Sequence, residues 1–148
     1  MALTGNIKAT IGFVNSLANI DLSTPSETVQ QSTVKTISSG VAYHEEKDLT
    51  TSQLYAIDLG DDSLSDVFGN AISMTAITAV YIEADEDNTV DIVITTGTDS
   101  FFPTMPPLSA GEVFAWGATI DASSNNRLYI QNGAATGKVK IVITGTEA

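Results

Sequence analysis

The residues of this chain whose type and spacing could do chemistry are clustered carboxylates. Asp85, Glu86, Asp87 and Asp91 fall within one short stretch, and hard cations such as calcium bind to carboxylate oxygens grouped in this way. The EF-hand pattern is not met, because Val90 occupies the position that needs glycine and the glutamate of the twelfth position is absent. The favoured interpretation is an acidic loop kept soluble by its charge, with a calcium loop as the alternative. A second acidic group has the same two interpretations: Asp58, Asp61, Asp62 and Asp66.

The chain has few of the residues that nucleophilic catalysis or zinc binding requires. His44 is the only histidine and the chain has no cysteine, so neither a Cys–His pair nor a His-rich zinc site can form. A serine triad would have to use His44, and no G-x-S-x-G elbow is present. A glycosidase-type carboxylate pair stays open, since 18 acidic residues always allow some pair. We therefore expect His44 to be a surface strand residue, and we expect no catalytic residue, metal or cofactor.

Aromatic residues offer a third kind of site. Trp116, Tyr81, Tyr129, Phe101 and Phe102 could line a sugar-binding surface, although in a small β domain aromatic side chains more often belong to the core or to an interface. Both interpretations remain open from the sequence.

Length and charge limit the class of protein. A chain of 148 residues with 43% hydrophobic residues predicts one domain with its own core. The formal net charge of −12 would repel nucleic acid and favours solubility. The absence of cysteine permits a reducing compartment. No stretch is long and apolar enough to predict a membrane span or a signal peptide, so we expect a protein made for the cytoplasm, with neither membrane nor nucleic-acid partners.

Two segments predict β-hairpins. In the first, Val80 and Ile82 alternate with polar neighbours, as do Val90 and Ile92, which is the period of a half-buried strand. With residues 84–88 as the loop, Ile82 would face Val90 and Val80 would face Ile92. The apolar residues of both strands then share one face.

The C-terminal segment repeats this pattern around Asn132-Gly133, a favoured turn dipeptide. With residues 132–137 as the loop, Ile130 would face Val139 and Leu128 would face Ile141.

This register predicts a basic stripe. Arg127, Lys138 and Lys140 would point away from the core on one face, which groups half of the six basic residues. The stripe is interpreted either as a solvated face whose lysines protect a sheet edge or as an interface that meets an acidic patch on a partner.

The rest of the chain predicts further strands and turns. Residues 41–47 and 54–59 alternate like strands, whereas the three prolines of residues 101–107 exclude a central strand there and predict a loop whose aromatics cover the core. Residues 66–70, DVFGN, predict a turn. We divide the chain into 1–27, an irregular N-terminal segment or arm, and 28–148, a β-sandwich domain. For 1–27, an ordinary first strand and loop is favoured over an extended arm that lies on another subunit.

Many short strands with turn residues between them indicate an all-β fold. We expect a single-domain, jelly-roll-like β-sandwich of about eight short antiparallel strands.

The order and spacing of several segments resemble those of a family of tailed-bacteriophage head proteins, the small jelly-roll cement or decoration proteins. The segments that carry the resemblance are MALTG at 1–5, DVFGN at 66–70, AVYIE at 79–83, LSAGEVFAW at 108–116 and KVKIVITG at 138–145. They span most of the chain, and each of them is a strand or a turn rather than a site.

The resemblance implies a non-enzymatic viral structural protein on the outer surface of the virion. Its partner would be the major capsid protein, whose shell it would stabilise, and it would act as a homo-oligomer, either a dimer or a trimer. A carbohydrate-binding or tail-associated adhesion module, assisted by calcium, is the alternative that the aromatics and acidic loops suggest.

Overall fold

The computed structural model describes the backbone of residues 4–16 and 26–38, and backbone and side chains of 40–60, 64–66 and 69–147. In these residues every regular element is a β-strand, every sheet is antiparallel, and no helix occurs that could cross a bilayer. The all-β class is therefore confirmed. The strands are β1 Thr4–Ser16, β2 Ser26–Ser38, β3 Val41–Leu49, β4 Leu54–Asp58, β5 Leu64–Ser65, β6 Ala71–Ile72, β7 Met74–Ala84, β8 Ile92–Thr95, β9 Val113–Trp116, β10 Ile120–Asp121, β11 Arg127–Asn132 and β12 Gly137–Glu147.

Two sheets form a β-sandwich. Sheet one has the order β10-β7-β12-β3, and β9 also pairs with β7, farther along the same strand than β10. Sheet two has the order β4-β11-β8. The number of described strands exceeds the expected eight. The additional strands include the two-residue strands β5, β6 and β10, and also β1 and β2, which form a further sheet. The jelly-roll arrangement stays a prediction.

The core lies between the two sheets and follows the period of two. Inward positions of β7, β8, β11 and β12 are completely buried, while the residues between them, apart from Ala79, are half-buried or exposed. Except for Val90, which is only half-buried, the apolar residues of the two predicted hairpins that were expected to face inward are therefore confirmed as core. They are Val80, Ile82, Ile92, Ile94, Leu128, Ile130, Val139, Ile141 and Ile143.

The first predicted hairpin is wrong in its pairing. Strands β7 and β8 belong to different sheets, so Val80 pairs with Ile143 on β12, while Ile92 pairs with Asn132 on β11. Val90 precedes β8 and belongs to the connection. The chain crosses from one sheet to the other between Ala84 and Ile92, so the apolar faces of the two strands meet across the core instead of side by side.

The C-terminal hairpin is wrong for the same reason. Ile130 pairs with Tyr55 on β4 and with Ile94 on β8, whereas Val139 pairs with Ala84 on β7 and with Lys47 on β3. Residues 133–136 thus connect the middle strand of sheet two to an inner strand of sheet one.

Strands β1 and β2 form a two-stranded antiparallel sheet, which we call the ribbon. The register runs without a break from Thr4 opposite Ser38 to Ser16 opposite Ser26. A 13-residue strand therefore occupies much of segment 1–27, and the boundary placed at residue 27 falls inside β2. The suggested contact of this segment with another subunit stays a prediction, and residues 1–3 and 17–25 lie outside the description.

The proline-rich segment and the DVFGN turn follow expectation where they are described. Residues 101–107 form no strand, yet Met105 donates its backbone N–H to the carbonyl of Ile94 at 2.8 Å, so the segment runs along the outer edge of β8. In the turn, the backbone N–H of Gly69 bonds to the carbonyl of Asp66 at 3.0 Å, and Gly69 has a φ of +85°. The two residues between them are outside the description.

Candidate functional site

The basic stripe does not form as a single surface. Arg127 lies on β11 in sheet two, whereas Lys138 and Lys140 lie on β12 in sheet one, so the two groups belong to opposite outer faces of the sandwich. Arg127 is paired across its own sheet: its Nε donates to Asp58 Oδ2 at 2.8 Å. This bond to Asp58 raises the pKa of the Arg127 guanidinium. The predicted interface role of the three residues is therefore divided between two faces.

Lys140 lies at the centre of the outer face of sheet one. Its ammonium group donates to Glu83 Oε1 at 3.1 Å, and Glu46 is its register partner on the opposite neighbouring strand. Glu83 also accepts a hydrogen bond from the Tyr81 hydroxyl. The bond from Tyr81, and then the bond from Lys140, lower the pKa of Glu83, while Glu83 in turn raises the pKa of Lys140.

We expect Lys140→Glu to destabilise the protein and Lys138→Glu to leave its stability nearly unchanged. The first substitution places a carboxylate between Glu83 and Glu46, where like charges on neighbouring strands repel. Lys138 also faces a carboxylate, that of Asp48 on β3, but it is exposed and the ion pairs found among the described residues do not include it, so water screens the repulsion that Lys138→Glu introduces. Urea denaturation of both variants at low salt measures the difference, and equal midpoints would contradict the assigned register.

The acidic loop borders an open cleft of about 420 Å³, which is lined by Asp48, Asp85, Asp87, Asn88 and Lys138, among others. The Asp85 carboxylate accepts the backbone N–H of Asp87 at 3.1 Å. The side-chain amide of Asn88 makes two bonds to the backbone of Lys138: its Nδ2 donates to the carbonyl at 2.8 Å, and its Oδ1 accepts the N–H at 2.7 Å. These contacts give the loop a structural role. In the described residues no group of three or more acidic or histidine side chains could hold a metal.

The two described members of the second acidic group, Asp58 and Asp66, have separate partners. Asp58 is bonded to Arg127, and Asp66 accepts the backbone N–H of Asn70 at 2.8 Å within its turn. Asp61 and Asp62 lie outside the description. His44 is exposed on β3 opposite Val142, as predicted for a surface strand residue.

A polar cluster that the sequence did not predict lies between the facing strands β3 and β4. Glu45 Oε2 accepts the hydroxyls of Tyr43 and Tyr55, both at 2.5 Å, so one carboxylate joins sheet one to sheet two. Lys47 approaches Glu45 Oε1 to 3.7 Å, and its ammonium lies 4.7 Å from the centre of the Tyr55 ring. We call these four residues the Glu45 cluster.

The position of the Glu45 cluster explains its charge. β3 and β4 are the last strands of their sheets, and inward-pointing charged residues are a common protection of edge strands against pairing with other chains. Since each polar group in the cluster has a partner, the edge is closed without leaving a buried charge unpaired.

We expect the protein to lose stability as the pH rises above 10. Burial, followed by the bond to Glu45, raises the pKa of Tyr55 to about 12 and that of Tyr43 further. Folded tyrosines with a raised pKa hold their protons while unfolded ones release them near pH 10, so the stabilisation is complete below pH 10 and is lost as the pH climbs through the folded pKa. Unfolding midpoints between pH 8 and 12, followed beside tyrosinate absorbance, measure this. Glu45→Gln should reduce the dependence, and an unchanged midpoint across the range would contradict it.

The five candidate aromatic residues do not form one surface. Tyr81 lies on the outer face of sheet one and Tyr129 on that of sheet two, while Phe102 is core. The Phe102 ring packs edge-on against Phe114 and Trp116, with centroids 5.2 and 5.7 Å away. Trp116 remains 39% exposed, and Phe101 is half-buried beside Phe102. The predicted covering of the core by the segment 101–107 is thus confirmed for Phe102.

The chain matches no family model, and neither the curated proteins nor the solved structures contain a match.

Proposed function

We propose that the protein is a non-enzymatic structural protein of a tailed bacteriophage that binds the outer surface of the capsid and stabilises the shell. Its partner in this proposal is the major capsid protein, and it acts as a homo-oligomer. The observation that carries the proposal is the charge of the sandwich, whose connecting loops carry carboxylates, including Asp85, Glu86 and Asp87 between β7 and β8 and Asp99 after β8.

This charge favours the outside of a particle. The interior of a filled head is dominated by DNA phosphates, which repel a surface of net charge −12. On the outer face, the same charge keeps the particles apart and soluble.

The build of the sandwich also supports a scaffold role. The segments that carry the family resemblance include AVYIE and KVKIVITG, which form the middle of β7 and most of β12, the two inner strands of sheet one. Ion pairs and the Glu45 cluster tie neighbouring strands or the two sheets together. Such a domain resists deformation, which is what stiffening a shell requires.

Mass spectrometry of purified virions tests the location, and the absence of this chain from particles would overturn the proposal.

Attachment is measured by adding purified protein to particles that lack it. Lys138 is the exposed member of the predicted basic interface, so Lys138→Glu should slow attachment at low salt, where screening is weak, more than Lys138→Gln does. Equal attachment rates for both variants would show that Lys138 does not lie in the interface, although the protein could still bind the particle through other residues.

Carbohydrate binding is the second candidate, and the exposed fraction of Trp116 favours it. An exposed indole that packs edge-on against Phe102, whose ring also contacts Phe101, offers an apolar platform of the kind on which sugar rings stack. A glycan array read with calcium and with chelator tests this candidate. Saccharide binding that Trp116→Ala abolishes would favour an adhesion module over a cement protein.

A further inference from the structure

The ribbon has two unlike faces. Residues directly opposite each other in an antiparallel pair share a face, and successive residues alternate between faces. Applied to the register of β1 and β2, this rule collects most of the large apolar residues on one face, which we call face A. Its apolar positions are Ile7, Ile11, Phe13, Val29 and Ile37, and it also carries the opposite charges of Glu27 near one end and Lys35 near the other. The opposite face has only Val14 and Val34 among mainly Thr, Ser, Asn and Gln.

A lone two-stranded ribbon is at best marginally stable in water, and it needs a further layer or further strands to bury its apolar face. In the described structure β1 and β2 pair only with each other. Each strand has 13 residues, which corresponds to about 43 Å at the usual rise per residue. Face A is therefore long enough to form an extended interface.

Charge indicates which partner covers face A. Residues 4–38 contain Lys8, Lys35, Asp21 and Glu27, so their formal charges cancel, and the remainder of the chain bears the whole net charge of −12. Two copies that approach through their sandwiches bring like charges together, whereas two ribbons can meet without that cost. A neutral element attached to a strongly acidic domain fits contact with another neutral element of the same kind.

We propose that face A of the ribbon packs against face A of a second copy, and that this contact makes the protein a homodimer. The contact is isologous: the same residues of both copies meet about a two-fold axis. It converts two marginal ribbons into one two-layered β-structure with a shared apolar interior. This inference deepens the homo-oligomer part of the proposed function. The dimer contact is tested in solution without particles. The dimer can therefore be disproved while attachment to capsids is observed, and attachment can be disproved while the dimer is observed.

Sedimentation equilibrium of the full chain tests the contact. The wild type should be a dimer, and Ile11→Asp combined with Phe13→Asp should raise the dimer Kd by about a hundredfold or more, since two large apolar side chains are replaced by charges. The matched control is Thr10→Asp combined with Val14→Asp, which adds the same charge to the other face of the same strand and should keep the dimer.

A second pair of substitutions separates loss of contact from loss of the ribbon. Ile11→Thr with Phe13→Thr keeps residues that favour strands while removing apolar surface, and it should also weaken the dimer. Raising the salt should tighten the wild-type dimer, because it screens the repulsion between the two acidic sandwiches. A monomeric wild type, a dimer that survives the face A substitutions, or equal loss in the control would each overturn the proposal.

Discussion

Gly40→Ala is expected to cost about 3–5 kcal/mol of folding free energy, from left-handed backbone strain together with overpacking. Gly40 has a φ of +95°, and a β-carbon built on it would lie 1.7 Å from the backbone oxygen of Gly145. That oxygen cannot easily move, because Gly145 belongs to β12 and is paired on one side with Val41 and on the other with Ile77. The chain passes through this point as it leaves the ribbon and begins β3.

Gly69→Ala is the matched control for Gly40→Ala. Gly69 has a similar φ of +85°, but none of the described residues lies within 4 Å of the position of an added β-carbon, so only the backbone strain of about 1–2 kcal/mol remains. Chemical denaturation of both variants separates strain from steric contact. If the two variants lose equal stability, the close approach of Gly40 to Gly145 does not contribute.

The core could be predicted from the sequence because burial depends on the alternation of side chains within each strand. Val80, Ile82, Ile130 and Val139 each stand between polar or small neighbours, and each is fully buried. This part of the prediction needs no knowledge of which strand lies beside which, since a period of two fixes the inward face of a strand by itself.

The pairing of the strands could not be predicted in the same way. Two consecutive strands with matching apolar faces satisfy the pattern equally well as a hairpin in one sheet or as a crossing between two facing sheets. Loop length favoured the hairpin, but β7 is followed by β8 in the other sheet, and β11 is followed by β12 in the other sheet. The decisive contacts are long-range pairings such as β12 with β3, which no local pattern contains.

Because the strand pairing could not be predicted, the predicted grouping of the basic residues is wrong and the Glu45 cluster is missing from the prediction. Arg127 was placed beside Lys138 only through the hairpin register, and that register is wrong. The alternation of residues 41–47 predicts a strand that contains Glu45, but nothing local indicates that its carboxylate bonds to Tyr55 on the facing strand. The local signal for the bond from Tyr43 was the Tyr-x-Glu spacing of Tyr43 and Glu45, which recurs at Tyr81 and Glu83 with the same hydroxyl-to-carboxylate bond.

The second large effect is expected at Asn132, a polar residue whose side chain lies in the interior. It is 3% exposed. Its Nδ2 donates to the carbonyl of Ala135 at 2.6 Å, and its Oδ1 accepts the backbone N–H of Gln53 at 2.8 Å. One side chain therefore joins the β3–β4 connection to the β11–β12 crossing. Asn132→Leu keeps the approximate size but leaves both backbone groups without this partner, and we expect a loss of about 2–4 kcal/mol.

Asn88→Leu provides the comparison for Asn132→Leu, because Asn88 also makes two hydrogen bonds to the backbone, both to Lys138, but in a solvent-exposed loop. Water can replace those bonds, so the expected loss is about 1 kcal/mol or less.

Asn132→Asp adds a second test. Its carboxylate faces the carbonyl of Ala135 at neutral pH, whereas protonation in acid restores a donor. The loss of folding free energy relative to wild type should therefore shrink as the pH falls toward about 4. Urea midpoints at pH 7 and pH 4 measure all three variants. Equal losses at positions 132 and 88, with no pH dependence in Asn132→Asp, would mean that the crossing is held by its backbone bonds alone.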